Sequence, residues 1–320
     1  MHLGDHPADL LSPSAGVPGA ADGAAERRPV LVAEDALGEW FRSGMTIALG
    51  GLATACHAMV FVRHIVRRGI RDLTVVGSAV GGLDVDLLVG AGCVRKVICP
   101  YVGAEALAPI GPFFRAAAER GDVEVWECDE GQYYSGLQAA AQMLPFLPCR
   151  GGVGTSFPEV NPDLKVFTDP VKGETLLAVP AIEPDLALLH AAHADAYGNV
   201  QFVGTGYAER LLWRAATRTL VQVERVISNE EVRRSPERTA LLAQGVVRAP
   251  YGAHPFSSPG YYLEDREHIG LLVEAGRAFA RAGDRGPFEA YLDRYVRRPA
   301  THADYLEAIG LRRLLSLHEY

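Results

Sequence analysis

Residues 123–154 read VEVWECDEGQYYSGLQAAAQMLPFLPCRGGVG, and the order of parts in this stretch decides the fold class. A β-like run (123–128) ends at the carboxylate pair Asp129-Glu130, followed by Gly131. Residues 132–144 then place Leu137, Ala140, Ala141 and Leu144 on one helical face. Pro145 and Pro148 stop that pattern, and Arg150 opens a loop containing Gly151, Gly152 and Gly154. Acids at a strand end, a helix, and a base beside a glycine loop are how α/β proteins assemble sites for anionic ligands.

The same alternation extends outward in both directions. Residues 45–49 form a short apolar run ending in Gly50-Gly51. In residues 57–68, Ala58, Phe61, Val62 and Ile65 make one stripe, with Arg63 and Arg67 off it. Strands are predicted at 73–76 and 94–99, and helices at 85–89 and 113–120, with Gly90, Gly92 and Gly121 as stops. The second half continues with strands at 176–179, 186–190 and 219–227, and a helix at 207–216. Strands separated by helices imply an α/β fold whose sheet is open, largely parallel and covered by helices on both faces. From Asp265 onward the pattern is helical. Ile269, Leu272, Val273, Phe279 and Ala280 share a stripe, and Gly276 lies on that face, where it allows close helix contact. The chain therefore divides into a tail (1–29), one α/β domain (30–264) and a helical C-terminal extension (265–320).

The chain has 320 residues, 48% of them hydrophobic, enough for a sizeable core. Its net charge of −8, with no basic stripe, argues against nucleic acid as a partner. Only Lys96, Lys165 and Lys172 are lysines, so arginine carries nearly all the positive charge. The five cysteines show no C-x-x-C spacing and point to reduced thiols in a cytoplasmic protein. A nucleophilic role is conceivable at Cys56, against the alternative of a small buried apolar residue. Residues 1–29 lack an apolar segment and read as a disordered tail rather than a signal peptide. No run of about 18 apolar residues occurs, so no membrane span is expected.

Several residues are candidates for a site, each with a plainer explanation beside it. Gly50 and Gly51 could admit a ligand phosphate or pantetheine arm close to the backbone, or simply form a tight strand-to-helix turn. Tyr101, Val102 and Gly103 follow a strand at the end where open α/β sheets bind ligands, or make an ordinary surface turn. Asp129 or Glu130 could be a general base, or a first-turn acid that suits the helix dipole. Arg150 could clamp a carboxylate or phosphate, or sit in a structural ion pair. His190 and His193, with Asp195 nearby, could suggest a metal. On a continuing strand, however, i and i+3 face opposite sides and no third ligand is evident, so no metal is expected. The chain has no G-x-G-x-x-G fingerprint, no P-loop and no G-x-S-x-G elbow.

Ordered blocks from about 31 to 264 resemble the A (alpha) subunits of family I CoA-transferases, the glutaconate and 3-oxoacid type. They include residues 43–51 (SGMTIALGG), 72–76 (DLTVV), 101–103 (YVG), 144–148 (LPFLP), 194–200 (ADAYGNV), Glu230-Glu231, 249–255 (APYGAHP) and 260–262 (GYY). The resemblance implies an open α/β sheet and a homologous B (beta) subunit, often in an α2β2 heterotetramer, with the active site at the subunit boundary. It implies covalent, ping-pong catalysis in which a glutamate of the B chain attacks the acyl-CoA. This chain has no Ser-Glu-Asn-Gly run to carry that glutamate. Gly50, Gly51, Tyr101, Val102 and Gly103 are then expected to bind substrate and CoA. The family's glycine loop usually carries Gly-x-Pro, where this chain has Cys56-His57-Ala58.

Residues 129–131, 136–142, 145–148 and Arg150 are also similar to the alpha subunits of actinobacterial steroid-ring hydrolases. That resemblance implies catalytic roles for Glu130 and Arg150 in opening a cyclic β-diketone CoA thioester. The basic segment of those subunits is replaced here by Leu52-Ala53-Thr54-Ala55-Cys56. The leading expectation is the A (alpha) chain of a CoA-transferase of EC 2.8.3 type, acting on an acyl-CoA and a carboxylic acid. It needs no permanently bound cofactor, because coenzyme A is its substrate. The alternatives are the alpha chain of a ring-cleaving hydrolase, and a non-catalytic acyl-CoA-binding protein on the same fold.

Overall fold

The computed structural model describes residues 28–318. The expectation of a disordered tail over 1–29 therefore falls, apart from its last two residues, outside the described part.

Among the described residues, strands β1 (Thr46–Leu49), β2 (Leu73–Val76), β3 (Val94–Ile98) and β4 (Glu124–Val125) pair in parallel, in that spatial order. Helices α1 (Met59–Arg68), α2 (Leu83–Gly90) and α3 (Pro112–Arg120) connect them. Helix α4 (Glu130–Ala141) then leads away to β5 (Phe146–Cys149), the short α5 (Phe157–Val160), β6 (Lys165–Thr168) and β7 (Thr175–Pro180). The chain re-enters the main sheet at β8 (Leu186–Asp195), which lies parallel to β1. After β9 (Asn199–Gln201) and α6 (Glu209–Ala215), β10 (Arg218–Ile227) pairs in parallel with the other edge of β8. Following α7 (Asn229–Arg234) and β11 (Thr239–Leu242), β12 (Gly245–Arg248) closes that side. Among the described strands of this sheet, the antiparallel pairings are β8 with β9 and β9 with β11. The expected largely parallel α/β sheet is what forms.

Local chemistry sets the boundaries. Helices α1 and α3 end at Gly69 and Gly121, both left-handed, whose N–H groups return to carbonyls of the last turn. Helix α3 starts with Pro112, whose missing N–H is one that the first turn leaves unpaired anyway. Helix α4 starts with a reciprocal capping box between Asp129 and Gln132. Side chains alternate across the strands: Ile47 and Leu49 join one core cluster, and Ala48 joins the other. Both faces of the sheet are thus covered.

Two expected strands differ. The run at 123–128 pairs only over Glu124–Val125. Strand β4 lies at the sheet edge, with β3 as its only neighbour among the described strands, so the residues after it can leave and bind elsewhere. The Trp126 indole donates to Asp163 at 3.0 Å, and Asn161 donates to the Glu127 carbonyl at 2.8 Å. The strand expected at 176–179 does form, as β7, but in a separate antiparallel sheet of order β5-β7-β6. Strand β5 contains Pro148, which an edge strand tolerates because one side needs no donor.

The C-terminal helices join the main core. Helix α8 (Arg266–Ala282) buries Ile269, Leu272 and Val273. Gly276 permits its contact with α3: a methyl group added there would collide with Pro112 Cγ and stand 3.0 Å from the Phe113 ring. Gly270, in the same helix, has nothing within 4 Å of that position. Gly276→Ala is expected to lose about 1–3 kcal/mol of stability through overpacking. Gly270→Ala should gain up to about 1 kcal/mol of helix propensity. Urea unfolding of the two variants checks the contrast, and equal shifts would contradict the packing argument.

Candidate functional site

The loops leaving the carboxyl ends of β1, β2 and β3 are sewn together through their backbones. Gly51 has φ +95°, and a Cβ there would lie 2.6 Å from the Ala55 carbonyl oxygen. Leu52 and Ala55 exchange N–H bonds at 2.9 Å, which closes a tight turn. Ala53 (φ 50°) and Cys56 (φ 60°) are held left-handed, a strain that such loops carry only when their surroundings fix them. Ala53 N–H donates to the Val80 carbonyl at 2.9 Å, tying the first loop to the second. Gly81 N–H donates to Tyr101 O and Gly103 N–H to Gly81 O, both at 2.9 Å, tying the second to the third. His57 lies between them, 2.8 Å from Asp84 of α2 through Nδ1 and 3.1 Å from Ala53 O through Nε2, fully buried. The predicted Gly50, Gly51, Tyr101, Val102 and Gly103 are thus brought into one continuous set of loops.

Helix α4 joins this edge from the side. Its Tyr133 hydroxyl donates to the Gly77 carbonyl at 2.6 Å. Glu130 is exposed at the first helical position. Tyr134 sits one turn later; burial raises its phenol pKa, and the nearby charges of Glu130 and Glu209 raise it further. The start of α4 and the loop after β5 also meet: Gln132 Nε2 donates to the Gly151 carbonyl at 3.4 Å. Arg150, however, turns its exposed guanidinium to Glu174, at 2.6 Å and 3.0 Å to the same oxygen. Glu130 and Arg150 therefore stand on adjoining segments, with Arg150 in an ion pair.

Glu209, the first residue of α6, belongs to the site without any mark in the sequence. Its side chain is 1% exposed. Oε1 accepts the Gly51 N–H at 3.1 Å and Oε2 accepts the Tyr207 N–H at 2.5 Å. Burial raises its pKa, which these two amides partly offset. A first-turn acid is so common at a helix start that sequence alone gives no reason to place it here. The pairing of His57 with Asp84 is equally silent. A hint exists in Asp84 and Asp86, two acids inside the otherwise apolar α2, both of which are buried.

Burial pushes the Cys56 thiol pKa up to about 12, with the Glu209 and Glu224 carboxylates adding to the shift. It is a small buried thiol and not an activated nucleophile. All five cysteines are free. Strand β8 continues through His190 and His193; His190 bonds Gln222 at 2.9 Å and Ser258 at 3.0 Å. Among the described residues, no group of three potential ligands could hold a metal ion. No described helix is long and apolar enough to cross a membrane.

Beside the glycine turn opens a cavity of about 620 Å³, lined in part by Gly204, Gly206, Tyr207, Glu209, Arg210 and Arg238. The site as a whole offers a tight glycine turn at the strand ends, a buried acid bracing it and exposed guanidinium groups beside it. That arrangement suits a ligand with anionic groups.

This chain belongs to the coenzyme A transferase family, whose model matches residues 30–241. The A chain of glutaconate CoA-transferase from Acidaminococcus fermentans is 32% identical over 90% of this chain and 94% of its own length. The crystal structure of glutaconate CoA-transferase from that organism superposes with a TM-score of 0.84 at 30% identity, covering 91% of this chain and 96% of the matched one. The cholesterol ring-cleaving hydrolase IpdA subunit of Mycobacterium tuberculosis is 36% identical over 86% of this chain and 95% of its own. An uncharacterized protein of Archaeoglobus fulgidus is 33% identical over 90% of this chain, which spans only 65% of that protein's length.

Proposed function

We propose that this chain is the A (alpha) subunit of an enzyme that moves coenzyme A between an acyl-CoA and a carboxylic acid. A homologous B (beta) subunit supplies the nucleophilic glutamate, in an α2β2 assembly in the cytoplasm. The observation that carries this reading is the likeness to the glutaconate enzyme over nearly the whole of both chains. The glycine turn adds to it, since it stands at the strand ends where α/β sheets take ligands. Glu209, the carboxylate nearest that turn, has both oxygens occupied by backbone amides and is 1% exposed, so it is not presented as a nucleophile.

In the reaction, the partner's carboxylate attacks the thioester carbonyl and expels the CoA thiolate, leaving a mixed anhydride. The thiolate then attacks the glutamyl carbonyl, releasing the first acid and forming a glutamyl-CoA thioester. The acceptor acid reverses both steps. In this scheme Gly50, Gly51 and the Tyr101–Gly103 loop hold the thioester and CoA. Coenzyme A enters as substrate, and no bound cofactor is invoked. Co-expression with a B-like partner tests this: the expected outcome is a stable complex, CoA exchange across a panel of acyl-CoAs, and a trapped thioester on the partner chain alone. No complex and no exchange would sink it, as would a thioester trapped on this chain.

The likeness to the IpdA subunit keeps a second reading, a ring-cleaving hydrolase with Glu130 as base and Arg150 as anion clamp. It requires Arg150 to leave Glu174 for the substrate. Under it, Glu130→Gln lowers turnover of a cyclic β-diketone CoA thioester about 10²–10⁴-fold, leaves CoA affinity intact, and the partner lacks the nucleophilic glutamate.

A further inference from the structure

The cavity beside the glycine turn carries an uncompensated charge. Arg210 and Arg238 line it from two different segments, α6 and the turn before β11. Both are exposed, and neither guanidinium makes a hydrogen bond or ion pair with any described residue. Some other surface arginines are paired, such as Arg115 with Glu119, Arg225 with Glu231, and Arg297 with Glu289 and Asp293. Others, such as Arg233, Arg248 and Arg281, are exposed without such a partner among the described residues. What distinguishes Arg210 and Arg238 is that they line one cavity together. Of the described residues that line this cavity, Glu209 is the only acid. Its oxygens are taken by the amides of Gly51 and Tyr207. A single buried carboxylate that pairs with neither arginine leaves the cavity with an excess of positive charge.

The same Glu209 connects the cavity to the turn where the thioester is placed, through the bond from Gly51 to Oε1. A ligand group in the cavity therefore lies close to the reacting end, yet separate from it. Gly204 and Gly206 add no side chains to its lining. A guanidinium fork recognises carboxylate or phosphate oxygens through paired N–H donors.

Resting on the function proposed above, we propose that Arg210 and Arg238 form an anion subsite for a negative group of the acyl-CoA substrate remote from its thioester. That group is either a second carboxylate on the acyl chain or the 3′-phosphate of the CoA portion. The two sources share their chemistry and separate by experiment.

The test uses the enzyme assembled with its partner, as wild type, Arg210→Gln, Arg238→Gln and the two Arg→Lys variants. Substrates are glutaryl-CoA, pentanoyl-CoA of equal chain length, and the dephospho-CoA form of each. Each Arg→Gln change is expected to lower kcat/KM about tenfold for thioesters carrying the recognised anion, with partial rescue by Lys. A loss confined to the glutaryl thioesters makes the ligand a carboxylate. A loss confined to thioesters that keep the 3′-phosphate makes it that phosphate. Equal losses on all four, or none, overturn the subsite; if pentanoyl-CoA still exchanges normally, the transferase reading stands without it. Should no thioester turn over, calorimetry with glutarate, pentanoate and free CoA reads the subsite directly. Arginine-dependent binding of glutarate or CoA supports it, and binding indifferent to both arginines overturns it.

Discussion

Gly51→Ala should lower kcat/KM of the assembled enzyme about 100-fold or more. A non-glycine residue at φ +95° is strained by itself, and the new methyl group would lie 2.6 Å from Ala55 O and 2.9 Å from Cys56 O. Both obstacles are backbone, so relief requires the turn to open. Opening it moves the Gly51 N–H away from Glu209 and pulls on Ala53, which is bonded to Val80. Displacements of about 1 Å at a reacting centre can cost about 100-fold in rate. Stability falls as well, so the control matters. Gly69 is also left-handed, at φ +64°, with nothing within 4 Å of an added Cβ. Gly69→Ala should lose about 1–2 kcal/mol and keep full specific activity. If both variants keep full activity per folded molecule, the turn has no part in the site.

Asp86→Asn should change how stability depends on pH. Asp86 is fully buried in α2; Oδ1 accepts the Phe114 N–H at 2.7 Å, and Oδ2 has no partner among the described residues. Burial pushes its pKa up to about 7, against which the amides of Phe114 and Phe113 pull downward. The folded state thus holds a proton that the unfolded chain releases near pH 4. Stability from this group is complete below about pH 4, declines as pH rises, and is lost above about pH 7. About three pKa units correspond to about 4 kcal/mol. Asparagine cannot ionise, so the stability of the variant relative to wild type should grow by about that amount between pH 4 and pH 8. Urea titrations across this range measure it, and parallel curves for the two proteins would refute the assignment.

The elements legible in the sequence are those whose signals are local. Helix α3 carries its own start in Pro112 and its own stop in Gly121, and β2 its apolar run and following glycine. Gly276 is readable as a close contact because its face of α8 is already apolar. The parts that are not legible depend on partners far along the chain. Strand β7 has the right composition, but its neighbours β5 and β6 decide which sheet receives it. The prolines of 145–148 argue against a strand, and only an edge position makes one possible. Glu209 reaches Gly51 across 158 positions of sequence, and His57 reaches Asp84 across 27. No periodicity records such pairings. The glycine turn itself is foreseeable from two adjacent residues; the carboxylate that braces it is not.

The three loops at the carboxyl ends of β1, β2 and β3 share one web of backbone bonds. Val203, Gly204 and Gly206 stand exposed along the cavity, outside that web. Under the function and subsite proposed above, the thioester would sit on the braced loops and the remote anion beside a stretch outside them, with Glu209 as the link between the two.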